Sequence, residues 1–188
     1  MRGFRNAVLY QGGKRLSTCR TPVYHGAFLD LGVEEVTLPD GRPLRLEVVR
    51  HPGGAAAVAV DDARNVCLLR QYRHAGGGWL WEVPAGKIDP GESPAETARR
   101  ELEEEAGVRA SRWDGLGSIL TTPGFCDEVI HLYLARELTA VPARPGAHEV
   151  LEVHWVPLLT AWGWARDGEI RDAKTVAALF RAWEGVGR

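Results

Sequence analysis

The sequence predicts an α+β protein: a small antiparallel sheet at the amino end, then a larger sheet that carries one sharply delimited helix and is closed by two more. Three observations carry this expectation. The runs V-E-E-V-T-L (33–38) and L-R-L-E-V-V (44–49) alternate by twos about Pro39-Asp40-Gly41-Arg42, a strong hairpin signal. A capped helix is announced at Ser93, with strand-like runs on both sides of it. Two segments at the carboxyl end have the apolar spacing of amphipathic helices.

Residues 1–50 read as strands, and so small a sheet buries too little apolar surface to stand alone. It is expected to pack on the main domain, residues 51–188, or on a second subunit. The main domain opens with A-A-A-V-A-V, the turn D-D-A-R-N, and V-C-L-L-R-Q-Y-R, which predict a hairpin of nearly continuous apolar strands covered on both faces. Gly76-Gly77-Gly78 is a flexible link into W-L-W-E-V-P-A-G, where period two puts Trp79 and Trp81 on one side of a strand. An aromatic pair so placed packs against a core or offers a shelf to a planar ring.

The helix begins at Ser93, a good N-cap; Pro94 needs no donor at the first helical position, and Glu96 completes a capping box. Gly107 supplies the stop. Ala95, Ala98, Leu102 and Ala106 form one small-to-apolar stripe suited to lie on a sheet. Beyond it come the strand G-L-G-S-I-L-T-T, the loop around Pro123-Gly124, the strand V-I-H-L-Y-L-A, a polar loop over 139–150 and the strand L-E-V-H-W-V. The closing helices are P-L-L-T-A-W-G-W-A-R and one from about Asp172, with Val176, Leu179, Phe180 and Trp183 as its apolar stripe.

Composition excludes several classes. The chain has 188 residues, 26% charged, with a formal net charge of −2, and no basic stripe that would suit nucleic acid. The apolar runs are too short to span a membrane and the start lacks a secretory pattern, so a cytoplasmic location is expected. Cys19, Cys67 and Cys126 are widely spaced without C-x-x-C, arguing against disulfides or a zinc knuckle. The six histidines lack ligand spacing.

The acids of the helix are its anomaly. Glu101, Glu103, Glu104 and Glu105 crowd the last turns, where the helix dipole disfavours each anion by roughly 0.3 to 1 kcal/mol. Glu101 and Glu105 also repel across one turn. An isolated run of this kind is ordinarily a solvated face, but hard oxygen donors on one rigid surface also suit Mg²⁺ or Mn²⁺.

The surrounding residues decide between these. Gly86, Glu92, Arg100, Glu101, Leu102, Glu104, Glu105, Gly107 and Val108 match every fixed position of the Nudix hydrolase signature across 86–108. The chain resembles that family, and the resemblance implies an α/β/α sandwich with a mixed central sheet that hydrolyses a pyrophosphate linked to a nucleoside. It further implies a metal shell of the Ala85 carbonyl, Glu101, Glu104 and Glu105, with Glu92 and Arg100 as a structural ion pair. Q-Y-R at 71–73 and T-T-P-G-F-C-D-E at 121–128 are similar to segments of the ADP-ribose pyrophosphatase type, although Thr and Cys replace two serines of its S-P-G-F-S-D-E.

That likeness implies Mg²⁺-dependent cleavage of ADP-ribose to AMP and ribose 5-phosphate, and a homodimer built through residues 1–50. Arg73 is then expected at a phosphate, since guanidinium presents a planar fork to phosphate oxygens. Trp81, Pro123 and Gly124 complete the substrate-binding set. Glu104, Glu105 and Glu149 form the catalytic set, with Glu152 and Asp127 as rivals of Glu149 for the attacking water. The alternatives are another nucleoside diphosphate derivative, such as a nucleotide sugar, NADH or FAD, or a nucleotide-binding regulator without turnover.

Overall fold

The computed structural model describes residues 17–27 and 29–186. Its chain divides into two compact units, Met1–Arg50 and His51–Arg188.

Among its described residues, the first unit is a three-stranded antiparallel sheet in the order β1 (Ser17–His25), β2 (Asp30–Thr37), β3 (Pro43–Arg50). The expected hairpin joins β2 to β3, with Thr37 opposite Pro43. Gly41, at φ 86°, donates to the Leu38 carbonyl at 2.9 Å, and Asp40 accepts from the Arg42 amide at 3.1 Å. A residue with a Cβ is strained at that φ, which is why glycine stands there. Glu34, 3% exposed, is held by Arg50 at 2.5 and 2.6 Å.

Among its described residues, the second unit contains two sheets and three helices. The strands are β4 (Gly54–Ala59), β5 (Asn65–Arg73), β6 (Gly78–Glu82), β7 (Ala85–Lys87), β8 (Val108–Leu120), β9 (Val129–Ala140) and β10 (Leu151–Pro157). The helices are α1 (Pro94–Ala106), α2 (Leu158–Asp167) and α3 (Ala173–Val186). One sheet is mixed, in the order β7-β4-β9-β8, with β4 and β9 parallel; the other is β10-β5-β6 and antiparallel.

The central strand shows how the sequence encodes the layering. Ala56 and Val58 of β4 belong to a core with Leu132, Leu134, Leu158 and Leu179, beneath α2 and α3. Ala57 and Ala59 point the other way, into a core with Cys67, Leu102, Val108 and Ala135 under α1. A strand covered on both faces has no polar side to alternate with, which explains the unbroken A-A-A-V-A. Ala98 and Leu102 of the expected helical stripe are fully buried there. Burying Leu102 alone contributes about 1.5 to 3 kcal/mol.

The hairpin expected over 55–73 does not form. Strands β4 and β5 enter different sheets, and an isolated antiparallel bridge, Val60↔Val66, stands at the turn between them. The turn itself is well made: Asp61 accepts from the Asn65 amide at 2.7 Å, and Arg64 sits at φ 62°. Runs of apolar residues without alternation carry no register, so pairing went to the strands that bury each face best. The second departure is that β8 begins at Val108, directly after α1, and β9 runs to Ala140.

Candidate active site

The site is assembled from three places: the β6–β7 turn, the acidic face of α1 and the loop before β10. Helix α1 starts as expected, with Ser93 accepting from the Glu96 amide and the Glu96 carboxylate accepting from the Ser93 amide at 2.8 Å. At its other end Gly107 adopts φ 65° and donates to the Glu103 carbonyl. Loop residues continue this termination: the Arg144 amide donates to the Glu104 carbonyl at 2.8 Å, and the Val141 amide to Gly107 at 2.9 Å. These bonds satisfy carbonyls that a helix end leaves open.

Four residues apart on one face, Glu101 and Glu105 are turned toward β7 and are 8% and 2% exposed. Glu105 accepts from the Ala85 amide at 2.9 Å. Gly86 lies so close to Glu101 that a Cβ there would stand 1.8 Å from Oε1. The signature glycine is therefore required by proximity to a carboxylate.

The electrostatics follow from this burial. Desolvation pushes the Glu105 carboxyl up to about 8, opposed by the Ala85 hydrogen bond and reinforced by the charges of Glu101 and Glu149. Glu101 is also raised, first by burial and then against the pull of Arg100, with Glu104 and Glu149 adding repulsion. Glu101, Glu105 and Glu149 thus sense one another, although Glu149 lies on a distant loop. There the Gly146 amide donates to the Glu149 carboxylate at 2.6 Å, and the Val150 carbonyl accepts from Tyr72 at 3.0 Å.

Arg100 is the cation inside this cluster. Its Nε and Nη2 form a fork on Glu92, both at 3.0 Å, and its Nη1 donates to Glu101 at 2.6 Å and Glu104 at 3.3 Å. Glu92 also accepts from the Thr97 hydroxyl at 2.7 Å. The Arg100 bonds lead in holding the Glu92 carboxyl down to about 2. Arg100 further donates to the Lys87 carbonyl at 3.2 Å, so it ties the loop to the helix.

Arg73 closes another side. Its Nε and Nη2 donate to the two oxygens of Glu82 at 2.9 and 3.0 Å, and Lys174 donates to Glu82 Oε2 at 2.5 Å. Burial pushes the Glu82 carboxyl up, but the Arg73 bond and the Lys174 charge prevail and lower it. The Glu82 bond is also the main cause raising the Arg73 guanidinium, to which the Glu105 charge contributes.

The remaining expected residues are placed as follows. Pro123 and Gly124 are exposed in the turn where the Phe125 and Cys126 amides donate to the Thr122 carbonyl at 3.1 and 2.9 Å. That turn leads into β9 at the end where Ile130 pairs with Gly54 and Gly54 with Lys87 of β7. Trp81 packs edge-on to His154 at 5.0 Å and against Trp164 at 5.4 Å, with Arg70 over its ring at 5.7 Å. Trp79 meets the exposed Tyr72 at 6.0 Å. Glu152 stands opposite Arg70 on β10 and contacts His154 at 3.3 Å, while Asp127 accepts from the His51 amide at 2.9 Å.

Sequence reasoning gave no role in the site to Glu82, Lys174, Asp172 or Thr175. A signal was available: Glu82 closes an apolar strand, and D-A-K-T sets charged and polar groups at the start of an apolar helix. Among the described residues, no three His, Cys, Asp or Glu side chains converge as one cation-binding group. Arg100 draws Glu101 aside and Ala85 holds one oxygen of Glu105. The donors still suit a hard cation: they are carboxylate and carbonyl oxygens on a rigid helix and turn, with buried negative charge to be compensated.

Known proteins resemble this chain over most of its length. The chain is similar to the ADP-ribose pyrophosphatase of Bacillus subtilis (strain 168), 38% identical over 159 residues that cover 84% of this chain and 86% of that one. It is 41% identical over 162 residues to the ADP-ribose pyrophosphatase of Mycobacterium tuberculosis (strain ATCC 25618 / H37Rv), covering 84% and 78%. A crystal structure of an ADP compounds hydrolase shares the fold, with a TM-score of 0.78 at 23% identity over 91% of this chain and 93% of that one. The NUDIX domain family matches residues 50–179, a span that holds every acid of the site, and the chain belongs to that family of hydrolases.

Proposed function

We propose that the protein hydrolyses the pyrophosphate bond of ADP-ribose to AMP and ribose 5-phosphate, using Mg²⁺, with Mn²⁺ as an alternative. The observation that carries this reading is the buried pair Glu101 and Glu105 beside Glu149, with the Arg73 guanidinium close enough to be felt at Glu105. Two relatives named ADP-ribose pyrophosphatase, at 38% and 41% identity, support the choice of substrate.

In this reading the Ala85 carbonyl, Glu101, Glu104 and Glu105 hold the metal. When bound, the metal supplies positive charge to the diphosphate and makes water a better nucleophile near neutral pH. Arg73 uses its outward edge to bind a phosphate oxygen. Glu149 orients the attacking water and takes its proton as the new P–O bond forms and the bridging P–O bond breaks. Its position on a loop lets the site exclude water around the substrate before reaction. Glu92 and Arg100 keep the 87–93 loop against α1, and Pro123-Gly124 shapes one wall. Trp81, with the exposed Tyr72–Trp79 pair nearby, offers aromatic surface to the base.

Residues 1–50 serve as a dimerisation element, and Val23, Tyr24 and Leu44 on its strands are exposed apolar candidates for the interface. The protein acts in the cytoplasm on a free nucleotide derivative, a reading supported by the wide spacing of its three cysteines in the sequence. No helix among the described residues is long and apolar enough to cross a membrane.

The test is a hydrolysis panel with Mg²⁺ over ADP-ribose, GDP-mannose, NADH and FAD, with products separated chromatographically. AMP and ribose 5-phosphate from ADP-ribose, at the highest kcat/KM of the panel, are expected. A preference for GDP-mannose would overturn the substrate, and binding without turnover under any divalent metal would overturn the reaction.

A further inference from the structure

The start of α3 reaches into the site through Glu82. This residue is 2% exposed and carries one negative charge, yet two cations donate to it: Arg73 as a fork, and Lys174 at 2.5 Å. Lys174 is itself fixed, 3.0 Å from Asp172. Asp172 accepts from the Thr175 amide at 3.0 Å and from its hydroxyl at 2.6 Å, and that hydroxyl accepts from the Val83 amide at 2.9 Å. Residues 172–175 therefore grip the end of β6 at two successive positions, the Glu82 carboxylate and the Val83 amide.

The consequence falls on Arg73. Its side chain is 42% exposed, against 3% for Glu82 and 12% for Lys174, so the buried end of the triad is rigid and the guanidinium is its outward end. With Nε and Nη2 committed to Glu82, Nη1 is the nitrogen left to meet another oxygen. Where Nη1 points is set by the tilt of the Glu82 carboxylate, and that tilt is set by Lys174 pulling on Oε2. A buried carboxylate left with one cation would swing toward it or recruit water, and the fork would move with it.

We infer that Lys174 is a positioning residue for substrate binding: acting through Glu82, it aims Arg73 at a phosphate oxygen of the nucleoside diphosphate. The inference rests on the proposed contact between Arg73 and phosphate. Lys174 spends its ammonium on Glu82 and Asp172 and acts through Glu82, so its removal weakens ground-state binding and leaves the chemical step nearly intact.

The test uses the full chain and the variants Lys174→Met, Lys174→Arg, Arg73→Ala and Arg73→Ala/Lys174→Met. Calorimetry gives the Kd of a non-hydrolysable ADP-ribose analogue with Mg²⁺, and kinetics give KM and kcat. Lys174→Met is expected to raise Kd and KM about tenfold while kcat changes less than about threefold. Lys174→Arg keeps a cation on Glu82 and restores most of the affinity. In the Arg73→Ala background Lys174→Met adds no further loss, because the group it aims is gone.

The failures are distinct. A wild-type protein that does not bind the analogue refutes the substrate reading. Arg73→Ala with wild-type Kd refutes the phosphate contact and the inference with it. Arg73→Ala weakened while Lys174→Met binds as the wild type does, melting lower or turning over more slowly, refutes the inference alone and leaves Lys174 a structural residue.

Discussion

Glu105→Gln separates the cost of the site from its use. The Glu105 carboxyl is 2% exposed, and burial leads in raising it from 4.5 to about 8. An acid raised in the folded state contributes stability that is complete below its unfolded pKa and is lost as pH rises through the folded one. In metal-free protein this contribution therefore disappears between about pH 4.5 and 8. At 1.36 kcal/mol per unit the full loss is of order 3 to 5 kcal/mol above pH 8.

Glutamine does not titrate, and its carbonyl oxygen can still accept from the Ala85 amide. The variant should match the wild type near pH 4 and, at pH 9 in EDTA, melt about 6 to 20 °C higher, taking about 2 to 4 °C per kcal/mol for a chain of this size. Adding Mg²⁺ should narrow the gap by stabilising the wild type more than the variant. Turnover should fall by orders of magnitude, since a carboxylate assigned to the metal is gone. Melting curves at pH 4, 7 and 9, with and without Mg²⁺, read all of this. Parallel pH dependence in the two proteins would refute the account of burial, and wild-type turnover in the variant would refute the assigned shell.

Other perturbations test the remaining parts. Gly86→Ala puts a methyl where Glu101 Oε1 now stands, 1.8 Å from the added carbon, and should cut kcat about 100-fold by displacing that carboxylate. Its melting temperature should change by only a few degrees. Glu149→Gln should lower kcat by about 10²- to 10⁴-fold with KM nearly constant; an unchanged rate would hand the role to Glu152 or Asp127. Glu92, held down to about 2 chiefly by Arg100, contributes stability that is present above pH 4.5 and lost as pH falls toward 2. Glu92→Gln should accordingly flatten the acid limb of an unfolding curve, while wild-type acid sensitivity in that variant would remove the pair from the stability account.

Much of the site was legible because its parts are local. The cap at Ser93, the stop at Gly107 and the spacing of Glu101 from Glu105 are set within one helix, and the period of the helix fixes which side chains share a face. The bond from Arg100 to Glu92 spans eight residues and was expected only from the family resemblance. The failed hairpin over 55–73 marks the limit. Its turn was correctly sensed at Asp61–Asn65, but β4 pairs with β7 and β9 and β5 with β6 and β10, and strands apolar on both faces do not declare such partners.

The sequence by itself determined an acidic helix with defined ends and a glycine at its flank, because short-range sterics and charge suffice for each, while the family entered through the match of the signature over 86–108. Only the tertiary structure decided how deeply Glu105 is buried, that Gly86 must be small because Glu101 lies against it, and that Glu149 comes within electrostatic reach of both acids. It also brought Lys174 to Glu82 across 92 residues of chain. Desolvation and long-range pairing are properties of the packed interior, where an absent neighbour changes the energy of a charge as much as a present one does.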